Sequence, residues 1–137
     1  MTANDDTRLN RNNSVEALTP EEPDNKTPDI SDLYTCLSAT RRCYAIEILA
    51  ESDEGSVSVS DLARQITAVE NSIRVDHATG EQYRNVYSAL KQYHLDKLAA
   101  ADIIRVDSER DRVVAGESLE AAYLLLNINR ETYEILL

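Results

Sequence analysis

Apolar side chains become periodic only from Asp29 onward. Before that point, residues 1–28 hold Asn, Asp, Thr, Glu and all three prolines, with Val15, Ala17 and Leu18 as almost the only apolar cluster. Such a stretch buries too little to offset its ordering entropy. It reads as a disordered acidic tail, a short partner-binding helix around Val15 to Leu18 being the alternative. From Asp29 the pattern is helical: Ile30, Leu33, Tyr34 and Leu37 mark one face of a first helix,. Thr40 offers an N-cap for a second, in which Cys43, Ile46, Leu49 and Ala50 face inward, and Asp53-Glu54-Gly55 signals a turn,. Val57 and Val59 alternate with serines, as in a very short strand,. Ser58 with Asp61 then resembles a capping box that opens a third helix, with Leu62, Ala63, Ile66 and Val69 inward,.

Residues 71–79 have no period and read as a loop. Thr79 with Gln82 repeats the capping spacing and starts a long helix,. Its Tyr83, Val86, Tyr87, Leu90, Tyr93, His94 and Leu98 fall on one broad face at 100° per residue, the cleanest amphipathic signal in the chain,. Leu95 projects about 120° away from the centre of that face, so something must cover it. Ile103 to Val106, the polar turn Asp107 to Asp111, and Arg112 to Ala115 read as a β-hairpin, and Leu119 to Leu137 as a last helix,. The order is helix, helix, short strand, helix, long helix, hairpin, helix. The expected fold class is therefore mainly α with a small β-hairpin: a winged helix-turn-helix over 29–116, followed by a C-terminal helix over 117–137. The hairpin directly after the long helix separates this order from a plain three-helix bundle, because it would stand as a wing beside a recognition helix.

Several motifs carry a resemblance: Leu37-Ser38 followed by Arg41-Arg42 and Ile46-x-x-Leu49, then Asp61-Leu62-Ala63, then His94-Leu95-Asp96-Lys97-Leu98 leading into Ile103-Ile104-Arg105-Val106-Asp107. Together they cover about 29–115, and over that span the chain resembles the winged-helix domains of unknown function widespread in halophilic archaea, which are associated with transcriptional regulation. The resemblance implies a winged fold more than an activity, since one fold hosts many functions. Two positions depart from the pattern: Asp96 stands where such domains often carry Pro after His-Leu, and Asp102 where a Gly commonly precedes the wing strand. Asp accepts left-handed backbone better than most residues, so the turn is expected to survive.

If the long helix is a recognition helix, Arg84, Asn85, Ser88 and Gln92 lie opposite its apolar face, with Lys91 at the edge. Arg suits guanine, Asn and Gln suit adenine, and Ser pairs with either kind of group. N-terminal residues of such helices approach bases most closely, which favours Arg84, Asn85 and Ser88. The plainer alternative is a solvated polar face. Arg105, Arg110 and Arg112 of the wing, with Arg74 in the preceding loop, could contact phosphates, which position a protein without specifying sequence. Arg41 and Arg42 fit better as an intramolecular pair that bonds acids or helix C-terminal carbonyls. In the last helix, apolar residues point in nearly every direction, as expected of burial on two sides. Leu119, Tyr123, Leu126 and Tyr133 are candidates for a two-fold dimer contact, the alternative being a helix wrapped wholly around its own domain.

Charge qualifies this picture. The chain has fourteen basic and twenty-five acidic side chains, a formal charge of -11, and Lys26, Lys91 and Lys97 are its only lysines. Such a surface keeps carboxylates hydrated where salt screens repulsion to within about 3 Å at 1 M. A high-salt cytoplasm fits it, and so does an ordinary acidic protein. Over 29–137 the net charge is -8, so long-range attraction to DNA is weak, and binding would rest on short-range contacts and bound cations. No run of about 18 apolar residues occurs and Met1 to Leu9 lacks an export pattern, so a cytoplasmic protein without a membrane span is expected. Cys36 and Cys43 read as small core residues. With His77 and His94 they match no zinc spacing, and neither a metal nor a cofactor is expected. Gly55, Gly80 and Gly116 make no phosphate-cradling loop, and no nucleophile stands with a base and an orienting acid, so an enzyme is not expected. The functional expectation is a DNA-binding transcriptional regulator acting as a homodimer on double-stranded DNA. A winged-helix protein–protein interaction module is the alternative.

Overall fold

The structure, a computed structural model, describes residues 29–136. The tail expected over 1–28 lies outside the described residues. Asp29 starts the first helix, α1 (Ile30–Leu37), by accepting a hydrogen bond from the Ser31 amide. This helix buries Leu33 and Cys36 and leaves Ile30 and Tyr34 exposed. The face expected from the sequence is thus turned, because α1 meets the rest of the protein along only one narrow side. The second helix, α2 (Thr40–Ala50), buries Cys43, Ile46 and Leu49. Ala39, not Thr40, occupies its N-cap position, with no side-chain cap. A three-residue strand β1 (Ser56–Ser58) leads into α3 (Val59–Asn71), whose first turn is capped by the Ser58 hydroxyl accepting from the Asp61 amide at 3.0 Å. Val57 is buried in the strand, but Val59 is already helical and Val69 is exposed rather than inward. Within the expected loop, Val75–His77 form one turn of 3-10 helix.

The long amphipathic segment is helical throughout but not uniformly so. It runs as α4 (Gly80–Ala89), a π segment over Leu90–His94, and α5 (Leu95–Ala100). Thr79 precedes α4 but its side chain makes no capping bond. In the π segment the amide of Leu95 donates to the carbonyl of Leu90, five residues back instead of four. Such a bulge inserts one residue into the turn, which swings everything after it by about 100° relative to a straight helix. Leu95, which a regular helix would aim away from the core, is therefore buried with Val86, Leu90, His94 and Leu98, while Tyr93 is pushed out to 54 % exposure.

The hairpin strands β2 (Ile104–Asp107) and β3 (Arg112–Ala115) pair antiparallel, Ile104 opposite Ala115 and Asp107 opposite Arg112. β1 pairs with the other edge of β3, Val57 opposite Val113, giving a three-stranded sheet in the order β1-β3-β2. Asp102 turns the chain into the hairpin with φ 61°, so the left-handed turn is kept without glycine. A final helix, α6 (Leu119–Leu136), packs across α2 and reaches α1. Tyr123 donates to Glu51 at 2.9 Å and Arg130 pairs with Glu47 at 2.8 Å, so α6 runs antiparallel to α2. The core is continuous from Leu33 and Cys36 through Ile46, Leu49, Leu62, Ile66, Leu90, Leu98, Ile103 and Val113 to Leu119 and Leu126. The architecture is mainly helical with a small antiparallel sheet and a C-terminal helix, in the winged helix-turn-helix order. Among the described residues, no helix is long and apolar enough to cross a membrane.

Candidate nucleic-acid interface

Two helices and the hairpin meet at one face. α3 packs on α4, and Arg64 of α3 lies 5.3 Å from the Tyr83 ring centroid. The apolar side of α4 faces the core through Val86, with Tyr83 and Tyr87 half-buried. The opposite side carries Arg84, Asn85 and Ser88, followed by Lys91 and Gln92 in the π segment, and all five are exposed. Arg84 forms no ion pair with a described residue. The α4 side chains expected to read base edges thus share one surface of one helix.

The wing is fixed to this helix by a side chain that sequence reasoning passed over. Asp111, at φ 53° in the turn between β2 and β3, accepts from the Tyr87 hydroxyl at 2.8 Å and from the Lys91 ammonium at 2.6 Å. Its backbone carbonyl accepts from the amide of Val59 at 2.9 Å, so one residue ties together the wing, the start of α3 and the long helix. The bonds from Lys91 and then Tyr87 hold the Asp111 carboxyl below the usual carboxylate range, while Asp111 raises both Lys91 and Tyr87. Read from the sequence, Asp111 is only the last residue of the polar turn Asp107 to Asp111. The signal that could have found it is an Asp in a left-handed turn position, opposite a Tyr and a Lys spaced i, i+4.

The outlying arginines differ among themselves. Arg74 and Arg110 are strongly exposed, and each leans on a neighbouring acid: Asp76 at 2.8 Å and Asp107 at 4.0 Å. Arg105 is exposed on β2. Arg112 does not project from the wing as expected, because it is half-buried and donates to the Ser56 hydroxyl of β1 at 3.0 Å. The β1–β3 pairing sets Arg112 beside the first strand and removes it from the flanking surface.

Behind the face, Arg41 chelates Glu70 with two hydrogen bonds, 2.6 and 3.0 Å. Arg42 is buried and donates to the carbonyls of Thr35 and Cys36, both at 3.0 Å, at the C-terminal end of α1. Its third contact is Nδ1 of His94, 3.1 Å away in the π segment. Because an arginine only donates, His94 accepts through Nδ1 and is neutral. Burial, and then the charges of Arg42 and Arg41, push its pKa below the ordinary 6.5, against a smaller opposing effect of Glu70. The unfolded chain consequently binds the proton more readily, so stability is complete above about pH 6.5 and is lost as pH falls towards the folded-state value. Urea melts between about pH 5 and pH 8 should show this slope. His94→Asn, which keeps an acceptor for Arg42 but cannot titrate, should flatten it; an unchanged slope would place the titration elsewhere.

The dimer contact expected on α6 needs correction. Leu119 and Leu126 are buried in the protein's own core, and Tyr123 is bonded to Glu51 of α2. The Tyr133 side chain lies outside the described residues. What α6 presents outward is Leu124 and Ile128, both more than half exposed. The seam is misplaced because an apolar stripe in the sequence does not show what it meets, and here α2 and the rest of the core take it. The two cysteines are buried free thiols, and no group of His, Cys, Asp and Glu among the described residues is placed to hold a metal ion.

A family model described as Domain of unknown function (DUF7344) matches residues 34–114, from within α1 to the end of the wing. No curated protein and no solved structure matches the chain.

Proposed function

We propose that this chain, which belongs to the family described as Domain of unknown function (DUF7344), is a double-stranded DNA-binding transcriptional regulator of winged-helix type, akin to those of halophilic archaea. The observation that carries the reading is the outward side of α4, where Arg84, Asn85 and Ser88 stand exposed together beside the hairpin. A helix enters the major groove with its N-terminal residues nearest the base edges. In this reading Arg84, Asn85 and Ser88 read bases, Gln92 lies further out, and Arg74, Arg105 and Arg110 reach the flanking phosphates. The net charge of -8 over 29–137 makes the approach short-ranged, which suits concentrated salt, where counterion release contributes little for any protein. Selection from a random duplex library in concentrated potassium chloride tests the proposal. Enrichment of one motif supports it, and a pool that stays random after repeated rounds opposes it.

The regulator would act as a homodimer, with two copies of α4 meeting a split site. The exposed Leu124 and Ile128 of α6 favour either that arrangement or a second reading, in which the winged fold docks a protein partner through α6 without DNA. Light scattering separates the two: a dimer that Leu124→Ser and Ile128→Ser dissolve supports self-association, and a monomer at all concentrations favours the second reading.

A further inference from the structure

Three cations on the proposed DNA face already hold carboxylates: Lys91 with Asp111, Arg74 with Asp76, and Arg110 with Asp107. The first pair joins two elements, and both its side chains are about 40 % exposed, so a phosphate can reach Lys91 without any backbone motion. We infer that this face binds DNA by exchange: a backbone phosphate takes Lys91 from Asp111, and Asp111 takes up a solvent cation in return. The inference rests on the DNA-binding reading and adds to it a mechanism of salt tolerance.

The geometry makes Asp111 suited to this role. When Lys91 leaves, the Tyr87 hydroxyl still holds one carboxylate oxygen at 2.8 Å, and the Asp111 carbonyl still anchors the Val59 amide. The carboxylate therefore stays beside the incoming phosphate instead of swinging away, and two anions side by side require a counterion. The consequence is thermodynamic. An unpaired lysine that binds a phosphate releases one condensed cation, so log K falls with log salt by about 0.9 per contact. A lysine that leaves a carboxylate returns a cation to the protein, and the net release at that contact falls towards zero. DNA affinity then persists as salt rises, with no excess of basic residues.

Asp111→Asn isolates the effect, because Asn keeps an acceptor for Tyr87 and tolerates the left-handed backbone, yet cannot hold a cation. Fluorescence anisotropy on a labelled mixed-sequence duplex of about 24 base pairs, in potassium chloride from about 0.1 to about 1 M, reads the salt slope. Asp111→Asn should bind more tightly at low salt and lose about eightfold more affinity than the parent across the tenfold rise. Adding Lys91→Gln to Asp111→Asn should return the slope to the parent's. Equal slopes for parent and Asp111→Asn, with both binding, overturn the exchange alone. Absence of binding by either protein at every salt, to this duplex and to the random duplex library alike, overturns the DNA reading and the exchange with it.

Discussion

Replacing Gly116 with alanine is expected to lower the unfolding free energy by about 3 kcal/mol, the upper range for forcing atoms into a packed site. Gly116 sits where β3 ends, against the turn that leaves α5, and its amide donates to the Ile103 carbonyl at 2.9 Å. The Asp102 carbonyl accepts from Ser118 at 2.9 Å, so both strands of backbone are held. A β-carbon on Gly116 would press on the Asp102 carbonyl oxygen and fall 2.8 Å from the Ile103 carbonyl carbon. All of these are main-chain atoms that cannot rotate away. For a domain of this size the loss corresponds to a melting temperature lower by more than about 10 °C. Gly55 is the natural control: at φ 68° with no atom within 4 Å of an added β-carbon, Gly55→Ala should cost only left-handed strain, about 1–2 kcal/mol,. Thermal melts of the two variants should separate clearly; equal losses would mean that the crossing at Gly116 is looser than described.

Arg42→Ala should be comparably damaging. Among the described residues no carboxylate pairs with the buried guanidinium, and bonding to Thr35, Cys36 and His94 replaces its hydration. Those carbonyls belong to the last turn of α1, where a helix has no internal donors left. The Thr35 carbonyl keeps the Ser38 amide and hydroxyl, but the Cys36 carbonyl and His94 Nδ1 lose a buried partner. With about 1–3 kcal/mol for each of these two orphaned buried groups, the expected loss is about 2–6 kcal/mol. Urea unfolding measures it. A second signature is electrostatic: the Arg42 charge depresses His94, so in Arg42→Met the His94 titration followed by NMR should move upward. A loss below about 1 kcal/mol with an unmoved titration would mean that water takes the place of the guanidinium.

The element order was legible because it rests on strong local signals: the Ser58 cap, the period of the long helix, and the polar turn between Ile104–Asp107 and Arg112–Ala115. The exposed α4 face was legible for the same reason, since 100° spacing alone puts Arg84, Asn85 and Ser88 away from the apolar face of Tyr83, Val86, Tyr87 and Leu90. Three features were not. The π segment has no spacing signature, because a straight helix fits every residue except Leu95, and the mismatch reads as a missing cover instead of an inserted residue. For Ile30 and Tyr34 of α1, and Leu119 and Leu126 of α6, the pattern suggests surroundings that the fold does not give them, because periodicity shows which residues share a face but not what that face meets. The Asp111 clamp depends on contacts 20 and 24 residues apart, which pattern cannot supply.

The proposed roles divide the face into groups that read sequence and groups that only hold the backbone. On a duplex recovered by selection, anisotropy in concentrated potassium chloride for the parent, Arg84→Ala and Arg110→Ala tests that division most directly. Arg84→Ala should weaken binding to the selected duplex by about 1–3 kcal/mol and relax preference at one base pair. Arg110→Ala should weaken selected and scrambled duplexes alike. Undiminished, equally selective binding by Arg84→Ala would contradict a groove-reading role for the outer side of α4.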